Sequence, residues 1–185
     1  MKVGILGGTF DPVHRAHLAM AGAALRHLEL DEVLFVPTGA TRYRKPASAS
    51  GEDRVAMLGL AIEGEPRYRI DERELQPGAT GYTVDTLLVL HKEHPRDELY
   101  LLIGGDQLAK FTSWHEPDEV KRLAKLGVFL RPDFPLDTTG ALVIPMKPIA
   151  ISASAIRARA ARGEDLSDCV PARVADYILR HGLYR

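Results

Sequence analysis

Lys2-Val3-Gly4-Ile5-Leu6-Gly7-Gly8-Thr9-Phe10-Asp11-Pro12-Val13-His14-Arg15-Ala16-His17 is the stretch whose reading decides the fold. Residues 2–6 contain a short apolar, β-favouring run, and residues 16–28 have the alanine and leucine content of a helix. Between them, Gly7 and Gly8 let the backbone turn and approach a ligand. N–H groups that open a helix after such a turn can face an anion. His14 and His17, three apart, are expected at neighbouring positions on one helical face. Strand, turn and paired imidazoles together predict a nucleotide triphosphate site.

Working outward, residues 32–36 read as a strand ending before Pro37, which completes a first β-α-β unit. Residues 38–51 mix glycine, proline, serine and alanine around Arg42, Arg44 and Lys45, and predict a mobile loop over the site. Residues 52–63 return to helical spacing, with Val55, Leu58 and Ile62 on one face and Glu52, Asp53 and Arg54 gathered at the start. A brief strand at 68–70 and a helix at 83–91 precede an apolar strand at 99–103 that stops at Gly104 and Gly105, leaving Asp106 just beyond its C-terminal end. A helix at 116–125, strands at 127–130 and 141–144, and helices at 154–162 and 172–181 close the pattern. There is no convincing internal repeat. The alternation predicts an α/β, Rossmann-like doubly wound fold, a mainly parallel sheet with helices on both faces, and ligands gathered outside the strand C-termini. Residues 1–185 are expected to form a single domain.

Composition narrows the partners. The chain has 185 residues, 45% of them hydrophobic, enough for a sizeable core. With 24 Lys and Arg against 25 Asp and Glu, the net charge is −1. No global basic field exists for a nucleic-acid backbone, so local groups must meet any polyphosphate. Cys169 is the only cysteine, which rules out an intramolecular disulfide. No apolar run approaches the roughly 20 residues of a membrane span, and no leader pattern precedes the first strand. The expected setting is cytoplasmic, without a membrane partner, and a homo-oligomer stays possible.

The glycine turn is neither the Gly-x-Gly-x-x-Gly of a dinucleotide oxidoreductase nor a P-loop, which would need a Gly-Lys-Ser/Thr ending. Gly8-Thr9-Phe10-Asp11-Pro12-Val13-His14-Arg15-Ala16-His17 resembles the Gly-x-Phe-Asp-Pro-x-His-x-x-His signature of the nucleotidyltransferase-like adenylyltransferases. That resemblance implies ATP contacts at Gly8, Thr9 and Phe10, and catalytic roles for His14 and His17 on the transferring phosphate. Outside this motif, a histidine pair is more often an ordinary surface or core feature. Zinc lacks a compact third and fourth ligand.

Ile151-Ser152-Ala153-Ser154-Ala155-Ile156-Arg157 resembles the Ile-Ser-x-Thr/Ser-x-Ile-Arg motif of the same enzymes, which implies phosphate contacts at Ser152 and Ser154 and a catalytic Arg157. A helix N-cap with an exposed arginine explains the same residues in isolation.

Further segments are similar to the bacterial nicotinate-nucleotide adenylyltransferase branch. Gly81-Tyr82-Thr83-Val84-Asp85-Thr86-Leu87 matches its Ser-Tyr-Thr-x-Asp-Thr-Leu segment, with Gly81 in place of serine, and implies that Thr83 meets the pyridine carboxylate. Trp114-His115 implies a stacking surface and a backbone N–H for that carboxylate; Trp114 can equally anchor core. In Leu102-Ile103-Gly104-Gly105-Asp106-Gln107-Leu108, Asp106 is expected to position nucleotide, through a ribose hydroxyl or the metal and phosphates, or else to cap the next helix. Lys45 is expected on phosphate, with Arg44 standing where that branch often has histidine. Phe129-Leu130-Arg131-Pro132 places Arg131 near ATP.

The reaction this implies is transfer of AMP from ATP to nicotinate mononucleotide, giving nicotinate adenine dinucleotide and pyrophosphate. Mg²⁺ is expected with ATP, held by phosphate and water rather than by metal ligands of the chain. Phosphopantetheine adenylyltransferase, and a nucleotide-binding regulator without catalysis, are the alternatives.

Overall fold

Side chains alternate along each central strand, and the alternation assigns every helix to a face. In the computed structural model, which describes residues 1–39, 46–130, 137–147 and 149–185, strand β1 (Lys2–Gly8) sends Val3 and Ile5 to one face and Leu6 to the other. Strand β4 (Glu98–Gly104) does the same with Leu99, Leu101 and Ile103 against Tyr100 and Leu102. Strands β2 (Glu32–Pro37), β3 (Tyr68–Ile70), β5 (Ala124–Phe129) and β6 (Ala141–Ile144) complete a sheet in the order β3-β2-β1-β4-β5-β6, every neighbouring pair parallel.

Helices α1 (Arg15–His27), α2 (Gly51–Ile62), α6 (Ala153–Ala161) and α7 (Ala172–Arg180) cover the Leu6 face, contributing Leu25, Leu58, Ile156 and Val174 to its core. Helices α3 (Thr83–Glu93) and α5 (Pro117–Leu123) cover the other face through Leu87 and Val120. Burying side chains of this size stabilises by roughly 1.5–3 kcal/mol each. The connection from α1 to β2 can lie close to the sheet because Gly4 has no side chain; a Cβ there would stand 2.7 Å from Leu30 Cδ1 and 3.1 Å from Leu102 Cδ1.

The strand order reverses direction between β1 and β4, each of which ends in glycine at the same edge. This is the switch point at which open α/β sheets bind ligands.

Several expectations shift. The helix read at 116–125 ends at Leu123, because Ala124, Leu126 and Val128 alternate as a strand and Ala124 pairs with Leu99. On α2 the buried residues are Arg54, Met57 and Leu58, whereas Val55 and Ile62 are only partly buried. Arg54 therefore belongs to the inner face and not to a solvated charge cluster. A short helix α4 (Gly105–Ala109) and 3-10 turns at Arg73–Leu75 and Phe111–Ser113 occupy segments to which the sequence pattern assigned no element. Of the loop expected at 38–51, residues 40–45 lie outside the described residues, and Ser50 caps α2 by accepting from the Asp53 N–H.

Candidate active site

Gly7 and Gly8 at the end of β1, and Gly104 and Gly105 at the junction of β4 and α4, border a cavity of about 550 Å³. Thr9, His14, His17 and Asp106 also line it, and Met20, Phe129, Leu130, Met146, Ile149 and Ile151 give it an apolar wall. A smaller cleft of about 40 Å³ lies alongside, lined by Thr38, Glu74, Gly81, Thr83, Thr86 and Trp114. Gly7 and Gln107 border both. The structure thus brings together Gly8, Thr9, His14, His17 and Asp106 in one cavity and Thr83 with Trp114 in its neighbour.

The turn itself is held open by packing. Phe10 has a left-handed backbone (φ 49°), a conformation that costs a non-glycine residue energy unless its surroundings fix it. They do: the ring is 2% exposed and packs against His17 at 4.9 Å and Phe35 at 5.8 Å. The Phe10 side chain is therefore a prop under the turn and does not line the cavity, which leaves its backbone for the expected ligand contact.

His14 caps α1 while His17 sits three positions in, and the rings stack at 3.7 Å. The His14 backbone N–H donates to His17 Nδ1 at 3.2 Å, the same reach-back that Glu makes in a capping box. Burial pushes His14 down to about 4 and His17 down to about 3, with His14 adding repulsion at His17. Both rings are thus neutral at pH 7. Because His17 Nδ1 accepts, its proton sits on Nε2, leaving that atom as a donor. His14 Nδ1 is buried with no hydrogen-bond partner among the described residues.

The opening N–H groups of α1 are less available than the sequence implied. Arg15 N–H donates to the Cys169 carbonyl at 2.9 Å, because residues 167–169 run across the helix start, and His17 N–H turns back to the His14 carbonyl. Of the opening residues, Ala16 lies between these two and lines the larger cavity.

Asp11 ties the site together. Its carboxylate accepts from the Ser48 and Ala49 N–H groups and from the Tyr184 hydroxyl at 2.7, 3.1 and 2.8 Å. Burial and the Asp11 carboxylate both push the Tyr184 phenol up, so it remains a donor. Arg157 reaches from α6 to donate to the Asp11 carbonyl at 2.7 Å, with the carboxylate 3.9 Å away. Ser152 caps α6 through the Ala155 N–H and lies 3.3 Å from Ser154. These serines flank the larger cavity through their neighbour Ile151 and do not line it. His115 stacks on Tyr82 at 4.1 Å outside the smaller cleft, and Trp114 is half-buried against Phe111 at 5.2 Å. Lys45, Arg44 and Arg131 lie outside the described residues.

Sequence reasoning missed three residues. Arg54 is detectable, since positions 54, 57 and 58 share a face with helical spacing. Gln107 accepts from the Gly104 N–H at 3.1 Å and stands where the cavities meet. Tyr184 had no local signal.

A switch-point cavity lined by a glycine turn, two neutral imidazoles and a nearby arginine defines a nucleotide-binding α/β protein of the nucleotidyltransferase class. The cytidylyltransferase-like family model matches residues 5–159. The chain is 43% identical over 197 residues to the Bordetella petrii protein named "Probable nicotinate-nucleotide adenylyltransferase", covering 100% of this chain and 99% of that one. A Thermomicrobium roseum protein of the same name is 39% identical, over 100% of this chain and 92% of its own. Among solved structures, Plasmodium falciparum nicotinic acid mononucleotide adenylyltransferase complexed with NaAD superposes with a TM-score of 0.81 at 20% identity, covering 99% of this chain and 97% of that one. The chain belongs to the nicotinate-nucleotide adenylyltransferase family.

Proposed function

We propose that residues 1–185 act as one nucleotidyltransferase domain that moves AMP from ATP to nicotinate mononucleotide in NAD biosynthesis. The observation that carries this is the shared border of the two cavities: Gly7 and Gln107 touch both, so two phosphorylated ligands would meet there. The larger cavity has an apolar wall for a purine and a polar floor for phosphates. Trp114 and the Thr83 hydroxyl offer a flat face and a donor to a pyridine carboxylate. At about 40 Å³ the smaller cleft has room for only a few waters. Seating a pyridine ring there therefore requires the cleft to be wider than in this conformation.

In the reaction an oxygen of the mononucleotide phosphate attacks the α-phosphorus of ATP. The new P–O bond forms as the bond to the β-phosphate bridging oxygen breaks, and pyrophosphate leaves with the electron pair. No covalent protein nucleophile is needed. The chain contributes alignment and fixed hydrogen-bond donors aimed at charge that builds on phosphate oxygens. His17 Nε2–H is one such donor and His14 another, while Thr9 supplies backbone and hydroxyl. Ser152, Ser154, Arg157, Lys45 and Arg131 complete the phosphate contacts in our reading, with His115 on the acceptor side.

Among the described residues no group of three His, Cys, Asp or Glu side chains can hold a metal, and Asp106 is the carboxylate bordering the larger cavity. A divalent ion, which we take to be Mg²⁺, would therefore be held mostly by phosphate and water, with Asp106 the carboxylate available to it. Such an ion would supply neutralisation of phosphate charge. No helix among the described residues is long and apolar enough to cross a membrane, and we place the protein in the cytoplasm.

The test is pyrophosphate release from ATP and Mg²⁺ with nicotinate mononucleotide, nicotinamide mononucleotide or phosphopantetheine. Highest kcat/KM with nicotinate mononucleotide is expected. Preference for phosphopantetheine, or saturable ATP binding with no product, would reject the assignment.

A further inference from the structure

Arg54 is a charged side chain only 4% exposed; no carboxylate lies within ion-pair distance of it among the described residues, although the Asp11 carboxylate acts on it through space. Its Nη1 donates to the Thr9 carbonyl at 2.8 Å and to the Thr38 carbonyl at 2.9 Å, and its Nε has no partner. The two carbonyls follow the ends of neighbouring strands: Gly8 pairs with Pro37 in the last rung of the β1–β2 ladder, and the Thr38 N–H donates to the Gly8 carbonyl. Among the described residues no backbone bond joins the two strands beyond that rung. Two carbonyl oxygens drawn to one point repel unless a donor bridges them, and buried without a donor each carries a desolvation cost.

These carbonyls also belong to different ligand sites. Thr9 lines the larger cavity and Thr38 the smaller. One guanidinium therefore sets the spacing between a wall of each, behind the seam where the phosphates would meet. Its charge sits in a poorly solvated place close to the glycine turn, where its effect on an anion is larger than in water.

We propose that Arg54 is a positioning residue: it clasps the ends of β1 and β2 so that the two substrates meet in line, and its buried charge favours the triphosphate. The proposal rests on the adenylyl-transfer reading above. Clasp and charge can be separated, since lysine keeps the charge but lacks the planar fork, and methionine keeps only the stem.

The experiment measures kcat, both KM values, calorimetric ATP affinity and the thermal midpoint for wild type, Arg54→Lys and Arg54→Met, with rates taken well below each midpoint. For folded Arg54→Met the expected result is a kcat lower by about 100-fold, the loss that a misalignment of about 1 Å produces, with both KM values and the ATP Kd raised. Arg54→Lys should hold its ATP Kd within about threefold of wild type while kcat stays at least about tenfold down, on the same alignment argument. If Arg54→Met does not fold, the Arg54→Lys kcat decides. A lowered midpoint with unchanged kinetics would make Arg54 a structural brace and overturn the proposal, as would full recovery of kcat by lysine. Should wild type turn over none of the acceptors, the adenylyl-transfer reading fails by itself. The ATP affinities then test the charge: equal Kd for wild type and Arg54→Met would overturn it.

Discussion

Two glycines of β1, Gly4 and Gly7, make opposite predictions. A Cβ on Gly4 would stand 2.7 Å from Leu30 Cδ1, 3.1 Å from Leu102 Cδ1 and 3.3 Å from Val33 Cγ2, all in the core between β1 and its neighbours. Gly4→Ala should therefore overpack that core and destabilise by about 1–3 kcal/mol. On Gly7 the same methyl group meets no protein atom within 4 Å, and the residue is exposed on the border of both cavities. Its strand backbone suits alanine, so Gly7→Ala should leave stability unchanged or raise it by about 0.4–1 kcal/mol through the unfolded chain. The methyl would instead occupy space needed by the reacting phosphates. Displacing them by even part of an ångström should lower kcat/KM by about 10- to 100-fold. Urea unfolding and steady-state kinetics on both variants check this. A destabilised Gly7→Ala, or one with wild-type kcat/KM, would refute the placement of the seam.

Acidification should weaken the fold through the buried histidine pair. Folded-state values near 4 and 3, against 6.5 unfolded, mean that the unfolded chain binds more protons below pH 6.5. Stability is therefore full above that pH and falls as pH drops toward the folded values. At pH 5 each ring costs about 2 kcal/mol. Urea unfolding from pH 7.5 to 4.5 should show the slope, and His14→Asn should reduce it; an unchanged slope would count against burial of the neutral pair. Tyr184→Phe removes one of three donors on the Asp11 carboxylate and should cost about 1.5–3 kcal/mol, the range for hydrogen bonds to charged groups. Equilibrium denaturation of that variant gives the value directly.

Most of the sheet was legible because its strands are short apolar runs closed by glycine or proline, and periodicity is a local property. β5 was the exception: Ala124 and Lys125 extend equally well from the preceding helix, and only pairing with β4 settles them. The His14 and His17 motif was legible for the same local reason, as a strand, a turn and a spacing. What one ring does to the other was not. Stacking, the neutral state of both rings and the donor at His17 Nε2 depend on burial, which arises when Phe10 and the 167–169 segment close around the turn. Arg54 shows how a pattern can mislead, because three charges in a row at a helix start look solvated, although Met57 and Leu58 already mark position 54 as inward. The convergence of Tyr184, Arg157 and Ser48 on Asp11 joins residues far apart in sequence, and no spacing rule announces it.

The claim at the centre of the account is that adenylyl transfer takes place at the imidazole pair beside the glycine turn. The measurement is turnover of His17→Ala with ATP, Mg²⁺ and nicotinate mononucleotide, on protein whose circular dichroism and thermal midpoint match a folded chain. A fall of at least about 100-fold in kcat, the loss seen when a preorganised donor to developing charge is removed, is the predicted result. Wild-type turnover by the folded variant would contradict the account.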